Sequence, residues 1–160
     1  MGRKQPAQEK LIGVISDTHG LVRPEAMEAL AGVDMILHAG DIGNSAVLER
    51  LRQIAPVVAV RGNNDRGEWA ESLPHSEVVE ISTISIYMLH DLKEIDISPA
   101  GTFQVVISGH SHKPAVEERR GVLYLNPGSA GPRRFKLPIS LAHLTVEGNA
   151  VNAKLIELSV

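Results

Sequence analysis

Five short apolar runs in this chain each end in aspartate, asparagine or histidine. Leu11 to Ser16 leads into Asp17-Thr-His19, Met35 to Leu37 leads to Gly40-Asp41, and Val57 to Val60 leads to Gly62-Asn63-Asn64-Asp65. Ile84 to Leu89 is followed by His90, and Val105 to Ser108 by Gly109-His110-Ser-His112. The runs are rich in β-branched residues and read as strands. In sheets with helical crossovers, ligands gather beyond the carboxyl ends of the strands, so these five termini are expected to converge on one site. Residues two apart on extended chain project to the same side, so Asp17 with His19, and His110 with His112, are expected to share an ion. Gly40, Gly62 and Gly109 are read as turn glycines that let the backbone approach the site closely.

The elements between the strands fit such a sheet. Pro24 to Ala31 reads as a helix, with Pro at its first position and Gly32 as its stop. Asn44 can cap a second helix running to about Ile54, whose Val47, Leu48 and Leu51 form an apolar stripe. The first half is therefore βαβαβ. From Glu77 onward turn signals crowd together, and Ser82-Thr83, Arg120-Gly121 and Gly148-Asn149 can each close a hairpin, so the second half is mostly β.

A chain of 160 residues, 43% hydrophobic and 22% charged, fits one soluble domain, 1–160, with residues 1–9 as a flexible tail. With 16 basic and 19 acidic residues it lacks the positive excess of a protein that tracks along nucleic acid, and no obligate nucleic-acid partner is expected. The first apolar stretch breaks at Ser16 and Asp17, too early for a signal or spanning helix, so neither secretion nor a membrane is expected and the location is read as cytoplasmic. There is no cysteine, so any metal is held by oxygen and imidazole nitrogen.

The ordered series Asp17-x-His19, Gly40-Asp41, Gly62-Asn63, His90 and Gly109-His110-x-His112 resembles the calcineurin-like metallophosphoesterases, and most of all their small YfcE-type phosphodiesterases. Asn126-Pro-Gly-Ser129 is similar to a segment of that branch, and the resemblance spans roughly Leu11 to Ser129. It implies an α/β fold, an αββα sandwich of two mixed β-sheets flanked by helices. It implies that Asp17, His19 and His112 bind one divalent metal, that Asn63, His90 and His110 bind a second, and that Asp41 bridges them. Asp41, Asn63 and His110 would be the catalytic set. The implied reaction is hydrolysis of a small phosphodiester by in-line attack of a hydroxide bridging the two metals. Two divalent cations, two carboxylates and one hydroxide leave a net charge of about plus one, which attracts a phosphate anion. Metals about 4 Å apart also lower the pKa of a shared water and neutralise charge on the phosphoryl oxygens. Mn2+ is expected from the resemblance, while Fe, Zn or Ni also suit these ligands.

The chain departs from the wider superfamily at Asn64, where many members carry a histidine that protonates the leaving group; an amide cannot act as a general acid. Asp65 keeps the aspartate that often follows in the small branch, and Asp91 stands where glycine is common after His90, offering a carboxylate behind the ligands. Asn64, Asp65 and Arg133 are candidates for contacts to substrate or to the ligands, and Arg134 could join them on a phosphate. His38 is read as a buried core histidine, and His75 and His143 as surface or structural residues. Trp69 and Leu73 are read as loop residues, packed there or forming an apolar rim to the site. Two competing functions are a phosphomonoesterase acting on a small metabolite or nucleotide, and a protein-binding scaffold of the kind the retromer subunit of this fold provides. An exposed β edge in the second half could pair two copies into a homodimer.

Overall fold

A computed structural model of the chain describes residues 9–160, so the expected tail over 1–9 lies, apart from Glu9, outside the described residues. The first half is β1 (Lys10–Ile15), α1 (Pro24–Ala29), β2 (Met35–His38), α2 (Ser45–Arg52) and β3 (Val57–Ala59). The remainder comprises α3 (Glu68–Glu71), β4 (Ser76–Ile81), β5 (Ile84–Leu89), a 3-10 turn (Leu92–Glu94), β6 (Val105–Ile107), β7 (Ala115–Arg119), β8 (Val122–Asn126), β9 (Ser140–Glu147) and β10 (Ala150–Glu157). The expected βαβαβ order is present, and all three expected hairpins occur, joining β4 to β5, β7 to β8 and β9 to β10. α1 begins at Pro24 as expected, and α2 is capped by Asn44, whose side chain accepts from the Val47 N–H at 3.3 Å.

Among the described residues the strands form two five-stranded mixed sheets, ordered β10-β9-β1-β2-β3 and β4-β5-β6-β8-β7. In the first, β1, β2 and β3 run parallel while β9 returns antiparallel beside β1. In the second, β5, β6 and β8 run parallel. Alternation sends Ile12, Val14 and Leu37 from the first sheet and Ile86, Met88 and Ile107 from the second into one core between the sheets. The opposite face of the first sheet, with Ile15 and Ile36, is covered by Leu30 near the end of α1 and by Val47, Leu48 and Leu51 of α2.

The outer face of the second sheet differs from the expected helical layer. Tyr87, Leu89 and Val106 are covered there by Leu92, Ile95 and Phe103, which belong to the 3-10 turn and the loop joining β5 to β6. Pro99 and Gly101 interrupt this crossover, and the residues before them form only the 3-10 turn. Trp69 likewise lies in the short α3 rather than a loop, and with Leu73 it packs against the core beneath the first sheet; neither forms a rim to the site.

His38, at the end of β2, is fully buried. The Gly40 N–H donates to its Nδ1 at 3.1 Å. The ring proton therefore sits on Nε2, which donates to Thr18 Oγ1 at 2.9 Å, while the Thr18 hydroxyl donates to the Ile42 carbonyl at 2.8 Å. This chain of bonds ties the loop after β1 to the loop after β2. Burial pushes the His38 pKa down to about 3 against the upward pull of Asp17, so the ring is neutral in the fold.

Two measurements follow from this packing. Ile107→Ala, at a fully buried position between the sheets, is expected to cost about 2–5 kcal/mol, read as a lower urea midpoint at unchanged slope. Val116→Ala, at an exposed position on β7, should change stability by no more than about 0.5 kcal/mol. For His38, the unfolded chain takes up a proton near pH 6.5 and the folded chain only near 3. The folded pKa is thus depressed, so stability present above pH 6.5 is lost as pH falls toward 3, with a slope of up to about 1.4 kcal/mol per pH unit. In metal-free protein His38→Gln, which retains a donor and an acceptor, should flatten that slope between pH 6.5 and 4; an unchanged slope would place the acid sensitivity elsewhere.

Candidate metal centre

The loops after β1 and β2 run side by side. Asp17 N–H donates to the Gly40 carbonyl at 3.0 Å, His19 N–H to Asp41 at 2.9 Å, and Gly20 N–H to Ile42 at 2.8 Å. Gly109 N–H donates to the His90 carbonyl at 2.9 Å, which joins the ends of β6 and β5 in the second sheet. The strand ends expected to converge do so at one edge of the sandwich.

The pairing of Asp17 with His19 and of His110 with His112 has a different cause from extended chain. Asp17, His19, Asp41, His110 and His112 have φ of 55°, 46°, 55°, 71° and 63°, in the left-handed region that L side chains seldom occupy. Tight turns, not alternating strand, bring each pair together, and strained backbone of this kind concentrates at functional sites. Of the three glycines only Gly40 has a positive φ, 101°. Gly62 and Gly109 are required by close approach: a Cβ on Gly62 would meet the Asp41 amide and carboxylate, and one on Gly109 would meet the Ser16 hydroxyl and Asp17 Oδ2.

Asp17 is buried, and its Oδ2 accepts from the Ser16 hydroxyl at 2.6 Å and the His110 N–H at 3.0 Å. Its Oδ1 faces inward, 3.4 Å from His112 Nε2, 3.8 Å from His19 Nε2 and 3.9 Å from His90 Nε2. Asp41 Oδ2 lies 3.3 Å from His90 Nε2 and 3.8 Å from His19 Nε2. Two groups have donor atoms close enough to share an ion: Asp17, His19 and His112, and Asp17, Asp41 and His90. The first is the expected trio. In the second Asp17 joins Asp41 and His90, so the Asp17 carboxylate faces both halves of the site. His110 stands beside it, with Nδ1 3.3 Å from His90 Nε2 and Nε2 3.7 Å from Asp91 Oδ2.

These residues suit divalent cations on two observations. Asp17 Oδ1, His19 Nε2 and His112 Nδ1 are buried without a hydrogen-bond partner, which costs free energy unless something else satisfies them. The His90 Nδ1–H donates to the Ala39 carbonyl at 2.8 Å, which leaves Nε2 and its lone pair turned to the centre. The Asn63 side-chain amide lies against Asp41 and His90, where its nitrogen can donate to His90 Nε2 and both Asp41 oxygens at 3.0–3.3 Å.

Burial would raise the pKa of Asp17, but contact with His112, the charge of His90 and the Ser16 hydroxyl hold it below the usual carboxylate range. For Asp41, His90 and the Asn64 amide likewise overcome burial and hold it low. Burial would lower His90, but Asp41, Asp17 and the Ala39 carbonyl raise it instead. Metal ligation by an imidazole requires the ligating nitrogen unprotonated.

The remaining candidates divide by what they touch. Asp65 is buried, and its carboxylate accepts from the N–H groups of Gly43 at 3.0 Å and Gly62 at 2.9 Å, so it braces the loops that carry Asp41 and Asn63. Asn64 turns inward: its N–H donates to Asp41 Oδ1 at 2.9 Å and its Nδ2 to Asp41 Oδ2 at 3.1 Å. Arg133 is exposed and donates to the Leu137 carbonyl at 3.1 Å. His143 donates to the Ala29 carbonyl at 2.7 Å, a structural tie.

Sequence reasoning assigned no task to three further residues. Ser16 fixes Asp17 as described, Ser129 donates its hydroxyl to the Asp17 carbonyl at 3.0 Å, and Asn126 donates its amide to the carbonyl of Gly109 at 3.0 Å. The last two belong to Asn126-Pro-Gly-Ser129, whose position after a strand was visible but whose role as a brace was not.

Two clefts flank the centre. One of about 310 Å³ is lined by Asn63, His90 and His110 together with Arg61, His75 and Asp91. The other, about 580 Å³, is lined by His110, Asp91, Lys113, Asn126 and Arg134. His110 and Asp91 belong to both, so the site opens on two sides. His75, read as a surface residue, is exposed but stands in the wall of the first cleft.

Residues 11–149 match the model of the calcineurin-like phosphoesterase superfamily domain. The chain is 38% identical to a protein of Methanocaldococcus jannaschii named a probable metallophosphoesterase, over 92% of this chain and 81% of that one. Its fold is similar to that of an archaeal protein described as a novel phosphodiesterase, with a TM-score of 0.74 and 26% identity over 91% of this chain and 99% of that chain. It also resembles vacuolar protein sorting 29 of Cryptosporidium parvum, with a TM-score of 0.75 and 23% identity over 95% and 99% of the two chains. A matching domain over most of the chain, on a two-sheet fold with a buried cluster of carboxylates and imidazoles at its strand ends, shows that this protein belongs to the calcineurin-like phosphoesterase superfamily.

Proposed function

We propose that this protein is a dinuclear metal-dependent phosphodiesterase of small phosphodiesters. Asp17, His19 and His112 would hold one ion and Asn63, His90 and His110 the other, with Asp41 between them. The observation that carries this reading is the inward face of the site, where the buried Asp17 Oδ1 and His19 Nε2 have no hydrogen-bond partner in the protein itself. Bound divalent cations would supply a water of lowered pKa and neutralise charge on the phosphoryl oxygens. The chain's own contribution is placement. Ser16, Ser129 and the His110 N–H fix Asp17, and Asn64 fixes Asp41 through both of its donors. His110 is the most exposed of the donor histidines, with 44% of its side chain accessible, and stands where the two clefts meet. An opening on both sides leaves room for the two substituents of a diester.

The principal test is hydrolysis of bis-p-nitrophenyl phosphate by chelator-stripped protein, with and without Mn2+. Turnover should appear with the metal and vanish in Asp41→Ala; rates on p-nitrophenyl phosphate beside it separate a diesterase from a monoesterase. The fold likeness to vacuolar protein sorting 29 favours a second reading as a protein-binding scaffold, which uptake of two ions without turnover of either ester would support. Binding is also readable as stability. Metal at about 100 times its dissociation constant should stabilise the fold by about 2.7 kcal/mol and raise the melting temperature by about 5–10 °C. His19→Ala should shrink that rise. No shift with Mn2+, Fe2+, Zn2+ or Ni2+ would sink the dinuclear reading.

A further inference from the structure

The larger cleft continues away from the metal centre. It shares Ser111, Lys113 and Arg134 with a shallow depression that also includes Phe135 and Lys136, so one groove runs from His110 to Phe135. Its charge runs against that of the chain, which carries a net −3. Lys93, Lys113, Arg119, Arg134 and Lys136 line it against only Asp91 and Glu117. Arg119 is already paired with Glu117 at 2.7 Å and stacked over the Tyr124 ring at 5.2 Å. The lysines and Arg134 form no ion pair among the described residues. The smaller cleft on the other side of His110 has the opposite character, with Asp91, Glu94 and Asp96 against Arg61. A substrate with one anionic arm is therefore oriented across the centre by the field of its walls.

Phe135 sets the character of the far end. It is 88% exposed, the most exposed of the large apolar residues, and its φ is 54°. Neither packing nor backbone preference explains a phenylalanine held in water in a left-handed conformation between Arg134 and Lys136. An exposed aromatic face beside cationic side chains is the arrangement that stacks a base while holding the adjacent phosphate.

We propose that the groove from His110 to Phe135 binds a nucleotide arm of the substrate, so that the ester cleaved is a nucleotidyl phosphodiester carrying a further phosphate. The base stacks on Phe135, and Lys113 and Arg134 hold the second phosphate. The acidic balance of the rest of the chain argues for a short nucleotide over a polymer, whose backbone needs a longer basic track. This assignment rests on the phosphodiesterase reading for the cleavage step, but not for binding.

Calorimetric titration of chelator-stripped protein with a 5′-phosphorylated thymidine dinucleotide, and with the analogue lacking both bases, tests binding without turnover. The baseless analogue should bind about tenfold more weakly, and Phe135→Ala should weaken the dinucleotide by about the same factor. Phe135→Trp should retain the affinity, and Arg134→Ala should weaken both ligands alike and lessen the salt dependence. With metal present, Phe135→Ala should raise KM for the dinucleotide more than it lowers kcat. Equal affinity for the two ligands, or an unchanged dissociation constant in Phe135→Ala, would overturn the proposal and leave a general anion groove. If the unsubstituted protein turns over no phosphoester, the hydrolase reading fails while the binding comparison still decides the groove.

Discussion

Two carboxylates, Asp17 and Asp41, are buried side by side at the ends of adjacent parallel strands, and the surrounding structure is organised around keeping both charged. Like charges at this range in a protein interior repel strongly, and removal from water disfavours each of them further. The fold answers with donors fixed in place. Asp17 Oδ2 takes the Ser16 hydroxyl and the His110 amide and both oxygens of Asp41 are held by Asn64, while Asp17 Oδ1 is left facing Nε2 of His19, His90 and His112 without a hydrogen bond. The donors come from loops of both sheets, so the site exists only when the sandwich is closed. The inter-sheet core of Ile86, Met88 and Ile107 against Ile12, Val14 and Leu37 is thus what sets the distances between ligands.

The same requirement explains the backbone. A left-handed residue with a side chain costs about 1–2 kcal/mol relative to the ordinary helical region, and five of the site's aspartates and histidines adopt one. Such a conformation points the side chain back over the end of its own strand, where extended chain would carry it onward. It persists because the neighbouring loops over-determine it: the Asp17, His19 and Gly20 amides are all held by carbonyls of the loop after β2. Asp65 clamps Gly43 and Gly62, and Ser129 and Asn126 clamp the loops that carry Asp17 and His110. The strain lies in the loops and its support in residues outside the ligand set.

How legible this was in the sequence depends on the kind of signal each residue carried. The βαβαβ half was plain, because Pro24, Gly32 and Asn44 punctuate runs whose apolar periods are unambiguous. The strand-end residues were plain because Asp, Asn and His recur after apolar runs more regularly than turns require. Their geometry was not legible: a two-residue spacing suggested extended chain, while the observed φ values show turns. Nor was the covering of the second sheet, since the resemblance implies flanking helices while the crossover from β5 to β6 forms only a 3-10 turn and a loop. The bracing roles of Ser16, Asp65 and Ser129 were hidden because each depends on what lies across the fold, and neighbours in sequence carry no record of that.

Asn64 links the architecture to the chemistry the site can perform. Its N–H and its side-chain amide are both turned to Asp41, so this residue holds a carboxylate in place. A histidine at the position could carry a proton to a departing alkoxide; an amide cannot. Under the phosphodiesterase reading the leaving group must therefore depart with help from charge neutralisation, from solvent, or from groups in the clefts such as His75 and Arg61. A diester suits those means, since its phosphoryl group carries one negative charge and its two arms reach two walls. In this site the arms meet walls of opposite sign, so which ester oxygen faces the attacking side is decided by where the anionic arm can lie. Under the same reading substrate selection would reside in the cleft walls at Asp91–Asp96 and at Lys113 and Arg134–Lys136, which the ligand motif does not include.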